Sequence, residues 1–352
     1  PRRVPAFTVQ RNCASGMEAI SQARRMITTG EADVVIAGGT ESMSQIPLLL
    51  QEEMKNIFMK FAFARSIGQR LSALAELKPR FLKPVVTIEV GLTDPVSGMN
   101  MGQTAERLAR DFGISRDEQD AFALKSHQKA VAAREKLKEE IATAYVPPKY
   151  KKALDMDMGP RESQTFEALQ KLKPYFDRRH GTVTVGNACP ITDGAAMVVM
   201  MAEEKAKAEG FKILGRVKSV VFAGCDPSRM GLGPVFSSPL ALKAAGYKMS
   251  DMDLVEINEA FAAQVIACLR GFASREFAKE YLNGTDLVSE IDPSKLNVNG
   301  GAIALGHPVG TSGARLILTL LKELERRGKN LGLATLCIGG GQGGACVVER
   351  GI

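Results

Sequence analysis

The sequence predicts an α/β fold assembled from two similar halves, with an insertion between the parts of the first. Three observations carry this expectation. A strand–helix–strand pattern stands near each end of the chain. Each copy closes on a double glycine, Gly38-Gly39 in one and Gly339-Gly340 in the other, and carries a reactive side chain near the turn that opens its helix. Between Ile46 and Gly98 the rhythm is broken. Repetition of one supersecondary unit at both ends implies an internal duplication.

Taken in order, Phe7–Gln10 is a short strand-like run. Ser15–Thr28 follows with apolar residues at Met17, Ile20, Ala23 and Ile27, the spacing of one helix face, and Gly30 stops it. Asp33-Val34-Val35-Ile36-Ala37 is a continuous apolar run of the kind found in a buried parallel strand. In the interruption, Met54, Ile57, Phe58, Phe61, Ile67, Leu71 and Leu74 follow a helical stripe, with Lys55, Lys60, Arg65 and Arg70 largely off it. Such a stripe either packs on its own domain or docks a partner or a membrane surface. Lys78 to Pro84 is a basic, proline-bounded loop. Ser115-Arg116-Asp117-Glu118 is a capping box opening a helix to about Glu140, and Pro147-Pro148 ends that region. The second copy runs from Leu296-Asn297-Val298 through a glycine turn at His307, a helix from about Gly310 to Arg327, and a strand over Leu331–Leu336. Domain boundaries follow: 1–45 and 181–205 for the first half, 46–180 for the insertion, 206–352 for the second half.

Composition bounds the function. The 352 residues are 45% apolar and 24% charged, as in an ordinary globular protein. No run of 18 apolar residues suggests a membrane span, and Pro1-Arg2-Arg3-Val4-Pro5 lacks the apolar core of a signal peptide. The net charge of +7 favours anionic partners such as phosphorylated cofactors, but the basic residues do not interleave with aromatics, which argues against nucleic acid. Six cysteines without close CxxC spacing predict free thiols, a reducing compartment and no metal site. The expected location is bacterial cytoplasm, with a mitochondrial one as the alternative.

The reactive residues sit beside glycines. Cys13 lies just before a helix, where unpaired N–H groups and the helix dipole favour a thiolate. His307, held between Gly306 and Pro308, is placed by a turn and can act as base toward a thiol. Cys337 closes an apolar run ahead of Ile338-Gly339-Gly340. A nucleophilic thiol, a histidine and a second thiol able to move a proton suit acyl transfer through a thioester. A buried packing cysteine and a loop-satisfying histidine are the plainer alternatives. His127 and His180 read as surface residues, and Cys225, Cys268 and Cys346 as packing residues. No GxGxxG precedes a helix and no Walker A loop is present, so a dinucleotide or nucleotide-phosphate loop is not expected.

Six segments in order carry a family resemblance: Asn12-Cys13-Ala14-Ser15-Gly16, Ala37 to Ser44, Met101 to Glu106, Asn258-Glu259-Ala260-Phe261, Gly306-His307-Pro308 and Cys337 to Gly340. Together they resemble the thiolases, the family of acetyl-CoA acetyltransferases and 3-ketoacyl-CoA thiolases. The resemblance implies a five-layer αβαβα fold from two similar halves with an insertion (loop) domain. It implies thiolytic cleavage of 3-ketoacyl-CoA by coenzyme A through an acyl-Cys13 intermediate, as in fatty acid β-oxidation, with no permanently bound cofactor. Cys337 would exchange the α-proton. A water held by Asn258 would form one oxyanion site with His307; the N–H groups of Cys13 and Gly339 would form the other, and Glu259 would support them. By positional match, Arg161 would face the nucleotide phosphates, Ala168 and Leu169 the adenine, and Asn100, Met101, Phe176 and Cys189 the pantetheine arm. A homodimer or tetramer is implied.

The interruption, with Ser66-Ile67-Gly68-Gln69-Arg70-Leu71-Ser72, is similar to the β subunit of the trifunctional fatty-acid oxidation complex. That implies a partner subunit with hydratase and dehydrogenase activities and peripheral membrane contact. Two departures stand out. The family has a further segment ahead of the Cys13 motif, so the chain reads as incomplete, and Cys189 occupies a place where the family usually has serine, a better hydrogen-bond partner for the pantetheine. The alternatives are acetoacetyl-CoA synthesis and a catalytically weak scaffold subunit.

Overall fold

A computed structural model describes residues 2–282, 284 and 289–351. The chain forms two compact units, Met43–Thr93 on the one hand and Pro1–Ser42 with Asp94–Ile352 on the other. The smaller unit ends at Thr93, whereas the sequence reading carried the insertion on to residue 180. The difference lies in helices Met101–Asp111 and Arg116–Ala132: Ala105, Leu108 and Ala109 join Val265 and Ala267 of helix Ala262–Ala273 in the core of the larger unit.

The larger unit is layered. Strands Val34–Ser42 and Asp193–Met201 pair antiparallel, with Ala37 opposite Val198. Their alternation sends Val35, Ala37, Ala196, Val198 and Met200 inward, as period-two patterning requires. Against them lie helices Ser15–Thr28 and Ser312–Arg327, contributing Met17, Ile20, Leu316, Ile317, Leu320 and Leu324 to the same core. The two helices approach backbone to backbone. A Cβ on Gly313 would stand 2.6 Å from the Met17 nitrogen, and one on Gly16 2.8 Å from the Ala314 nitrogen. Only glycine permits that crossing.

Beyond the helix pair lies a sheet in the order Arg216–Gly224, Gln342–Glu349, Leu331–Ile338, Leu254–Ile257, of which only the last pair is parallel. Helices Gly233–Ala245 and Ala262–Ala273 supply the next core, with Val235, Ala241, Val265 and Cys268. Strand Leu331–Ile338 is covered on both faces and is apolar but for Thr335, whose hydroxyl donates to the Gly344 carbonyl at 2.8 Å. The order of layers is that of the expected αβαβα fold, and four of the five are found among the described residues.

Several expectations require correction. Phe7–Gln10 is extended but forms no strand, and Phe7 is exposed. Strand Val34–Ser42 is antiparallel and covered on one face; Ile36 is 71% exposed on the other. Gly38-Gly39 lies inside that strand rather than after it. The helix begun by the Ser115 capping box ends at Ala132, and a short helix, Arg134–Lys138, follows. His127 is buried, because its helix packs its inner face beneath the segment carrying Arg161. Cys268 and Cys346 are packing residues as expected, while Cys225 is half-buried.

The unit Met43–Thr93 contains helices Glu52–Phe63 and Ile67–Ala75, the latter capped by Ser66, whose Oγ accepts the Gln69 N–H. The expected single stripe is therefore broken in two. Met54 and Ile57 close on Phe81 as a small core, while Phe63, Ile67 and Leu71 are exposed. Lys60 is taken up by Glu76 at 2.6 Å, and the Arg70 guanidinium lies over the Phe61 ring.

Candidate active site

Cys13 stands in the 3₁₀ turn Asn12–Ala14 that leads into helix Ser15–Thr28. The turn is unusual, with Asn12 at a φ of 45°, and two contacts hold it. The Asn12 Nδ2 donates to the Gly339 carbonyl at 2.9 Å, and Ser15 Oγ accepts the Arg11 N–H at 2.9 Å. The cysteine turn is thereby clamped to the loop after strand Leu331–Ile338. Cys13 is half-buried. Burial raises its thiol above the ordinary range, Glu41 adds to this, and the N–H groups of Gly339 and of Cys13 itself act in the opposite direction. The helix start expected to favour a thiolate is present, but desolvation outweighs it and the resting group is a thiol.

Cys337 lies within that strand, opposite Gly343 in the ladder, and is almost fully buried. Desolvation holds its thiol far above the normal range, with the Cys13, Cys268, Cys189 and Cys225 thiols near enough to add to the shift. Burial and the neighbouring Cys13 likewise push Cys189 up to about 12. Cys13 thus acts on both Cys337 and Cys189, and Asn12 Nδ2 ties its turn to the Gly339 peptide.

His307 is delivered by the loop between helix Ala302–Leu305 and helix Ser312–Arg327. Gly306 has a φ of +96°, and a Cβ there would strike Thr192 Oγ1 at 2.4 Å; that same oxygen accepts the His307 N–H at 3.2 Å. The ring is oriented by Ser312, whose Oγ lies 2.6 Å from Nδ1. The Ser312 hydroxyl donates to the Pro308 carbonyl at 3.1 Å. When the Ser312 proton goes to that carbonyl, its oxygen accepts from Nδ1–H, and the lone pair of the ring lies on Nε2. Burial, with the positive charge of Arg315 second, brings His307 down to about 4, so the imidazole is neutral at physiological pH.

Asn258 follows strand Leu254–Ile257, its N–H donating to the Thr335 carbonyl at 2.9 Å. Its Nδ2 stands 3.5 Å from each ring nitrogen of His307, which is contact rather than a strong hydrogen bond. Its buried Oδ1 has no hydrogen-bond partner among the described residues, so it is a polar atom available to a water or ligand. Glu259 next to it is locked: it accepts from Ser126 Oγ at 2.5 Å, Asn297 Nδ2 at 2.9 Å and the Ile303 N–H at 3.3 Å. It braces the loop that carries His307. Glu41 does the same from the other half, accepting the Gly310 N–H at 3.0 Å.

The residues expected along coenzyme A are less uniformly placed. Met101 lies against Gly339, its sulfur 3.2 Å from where a Cβ would be. Phe176 covers Gly102, stacks edge-on to Phe261 and lines a cleft of about 460 Å³ with Met99, Gln103 and Arg110. Asn100 is engaged in a capping box with Gln103. Arg161 and Ala168 are exposed, and the Arg161 N–H donates to His127 Nδ1 at 3.2 Å. Leu169, expected beside an adenine, instead packs with Ala123, Ala262 and Ile303 in a closed core; only its neighbour Ala168 presents a side chain outward. Among the described residues no group of three or more His, Cys, Asp or Glu is arranged to hold a metal.

Two family models cover the chain: Thiolase, N-terminal domain, over residues 1–204 and Thiolase, C-terminal domain, over residues 211–350. The chain belongs to the thiolase family. Among curated thiolases, the 3-ketoacyl-CoA thiolase of Pectobacterium carotovorum is 44% identical over 347 residues, which is 98% of this chain and 78% of that protein. Among solved thiolase structures, the acetyl-CoA acetyltransferase of Syntrophomonas wolfei aligns with a TM-score of 0.85 and 37% identity, over all of this chain and 81% of that one. The human mitochondrial 3-ketoacyl-CoA thiolase in complex with CoA aligns with a TM-score of 0.83 and 39% identity, over all of this chain and 79% of that one.

Sequence reasoning did not single out Ser312, Thr192 or Asn297, although each fixes one of the polar groups of this thiolase site. Ser312 had a local signal: it lies five residues after His307, past Pro308 and at the start of a helix, where a hydroxyl can turn back on the preceding loop. Thr192 and Asn297 had none, because their partners are distant in sequence.

Proposed function

We propose that this thiolase cleaves 3-ketoacyl-CoA with coenzyme A, yielding acetyl-CoA and an acyl-CoA shortened by two carbons. The observation that carries the reading is the clamping of the Cys13 turn to the Gly339 peptide, with Cys337 near enough to be shifted by Cys13 and a neutral His307 held at Nδ1 by Ser312. In this reading His307 Nε2 receives the Cys13 proton, and the sulfur attacks the 3-keto carbon. In the same reading the N–H groups of Cys13 and Gly339, which both act on the Cys13 sulfur, receive the developing oxyanion. Cleavage of the C2–C3 bond leaves the acyl group on Cys13 and the electron pair on C2 of the departing acetyl-CoA. Cys337, a buried thiol that keeps its proton, delivers it to that carbon. The Cys337 thiolate so formed takes the thiol proton of an incoming coenzyme A, whose sulfur accepts the acyl group from Cys13, and His307 returns its proton to the Cys13 thiolate. Asn258 Oδ1 supplies a polar anchor for a water beside His307.

Thiolysis measured across a chain-length series of 3-ketoacyl-CoAs tests this. Coenzyme-A-dependent loss of the 3-keto substrate with stoichiometric acetyl-CoA supports it. Turnover confined to acetoacetyl-CoA condensation would replace it with the biosynthetic alternative.

We further propose that the unit Met43–Thr93 docks a partner subunit of the same oxidation sequence through its exposed Phe63, Ile67 and Leu71. Ile67→Glu combined with Leu71→Glu should abolish co-purification with a hydratase–dehydrogenase subunit and leave thiolysis of short substrates unchanged. Retained co-purification rejects the surface.

A further inference from the structure

Arg315 is the least explained polar side chain of the larger unit. It stands in the first turn of helix Ser312–Arg327, three residues after Ser312 and so on the same helix face. Its Nε, Nη1 and Nη2 are all shut off from solvent, and none has a hydrogen-bond partner among the described residues. A buried guanidinium without partners is costly and is retained only where its surroundings compensate it or its charge is used. Elsewhere the same helix shows the ordinary solution: Arg326 and Arg327 are paired with Glu323 at 3.1 and 2.6 Å.

The surroundings of Arg315 are specific. Glu256, Glu140 and Asp157 all lie within its electrostatic reach. Glu256 precedes Asn258 by two residues on strand Leu254–Ile257, and its buried Oε2 is also without a hydrogen-bond partner among the described residues. Glu256 is in turn faced by Glu259, Glu140 and Lys129, and burial pushes it up to about 8. It is thus largely neutral at pH 7 and does not cancel the guanidinium. Burial raises Glu140 and Asp157 too, and Glu140 is already shared with Arg326 and Thr319. The compensation is partial, and the positive field reaches His307.

We propose that Arg315 is a positioning residue for the reaction: its buried, unpartnered guanidinium, one helical turn behind the Ser312 that holds the His307 ring, disfavours a second positive charge there and so reinforces the neutral imidazole that burial already imposes. The inference rests on the reading of His307 as the base. It also accounts for what the sequence alone does not, namely a charged side chain in the first turn of this helix with no carboxylate paired to it, unlike Arg326 and Arg327.

The test is the proton affinity of His307 and the acid limb of thiolysis in Arg315→Gln and Arg315→Lys. The chain has three histidines, so the ring resonances can be assigned by substitution. In Arg315→Gln, loss of the neighbouring positive charge should move both the His307 titration and the acid limb of kcat/KM to higher pH, by at least about half a unit. Arg315→Lys, which keeps the charge, should leave both in place. An unmoved His307 titration in folded Arg315→Gln overturns the proposal, and so does a shift of the same size in Arg315→Lys. If Arg315→Gln does not fold, Arg315→Lys decides alone: wild-type titration and activity support the role of the charge, and a displaced titration rejects it. A His307 titration that moves while the thiolysis limb does not upholds the field of Arg315 and rejects His307 as the base.

Discussion

The hydroxyl of Ser312 stands 2.6 Å from Nδ1 of His307 and 3.1 Å from the Pro308 carbonyl, and so ties the ring to the backbone of its own loop. That one contact fixes the ring of a loop histidine, which in the proposed reaction is the base. Without it the ring can flip or take the other tautomer.

Ser312→Ala should therefore lower kcat with little change in KM. Losing one orienting hydrogen bond of about 1.5 kcal/mol corresponds to roughly a tenfold fall in rate. Steady-state kinetics on the folded variant check this; a rise in KM at unchanged kcat would assign Ser312 to binding instead.

Protonation should follow burial rather than the usual histidine range. His307 and His127 are both brought down to about 4, each mainly by burial, with Arg315 and Arg161 respectively as the second cause. A lowered value means that the neutral base persists as pH falls, so thiolysis should keep its rate well below pH 6.5 and lose it only as His307 charges near 4. The ring resonances of both residues should remain those of neutral imidazole at pH 5.5. An acid limb centred near 6.5 would show that the site is wetter than its geometry.

How much of this was legible in the sequence depends on the range of the contacts. The helix Ser15–Thr28 and the strand ahead of Gly339 follow from periodicity and glycines, which are local signals, whereas the strand Gln342–Glu349 was not read. Cys13, His307 and Cys337 were legible because each sits beside glycines in a motif. The antiparallel partner of Val34–Ser42 was not, since it lies some 150 residues away and its one exposed face contradicts the unbroken apolar run. His127 was misread for a similar reason: its cover is the segment at Arg161, invisible to helix periodicity. Leu169 was assigned to a ligand by position, while its side chain is consumed by core packing that only the fold reveals.

Cys337→Ala should separate the two chemical roles of the thiols. Acylation of Cys13 should persist, while exchange of the α-proton of acetyl-CoA with solvent should fall by about 10²–10⁴, the usual contribution of a positioned acid or base. Deuterium incorporation followed by NMR reads this directly; exchange at the wild-type rate would place the acid elsewhere.

The central claim, acyl transfer through Cys13, is tested most directly by trapping the acyl-enzyme. The protein is mixed with radiolabelled acetyl-CoA, quenched in acid, and mapped by peptide mass spectrometry. The expected result is one acetyl group on the peptide containing Cys13, absent in Cys13→Ala and removed by added coenzyme A. Label on Cys189 or Cys337 with Cys13 unmodified, or thiolysis that proceeds in Cys13→Ala, would contradict it.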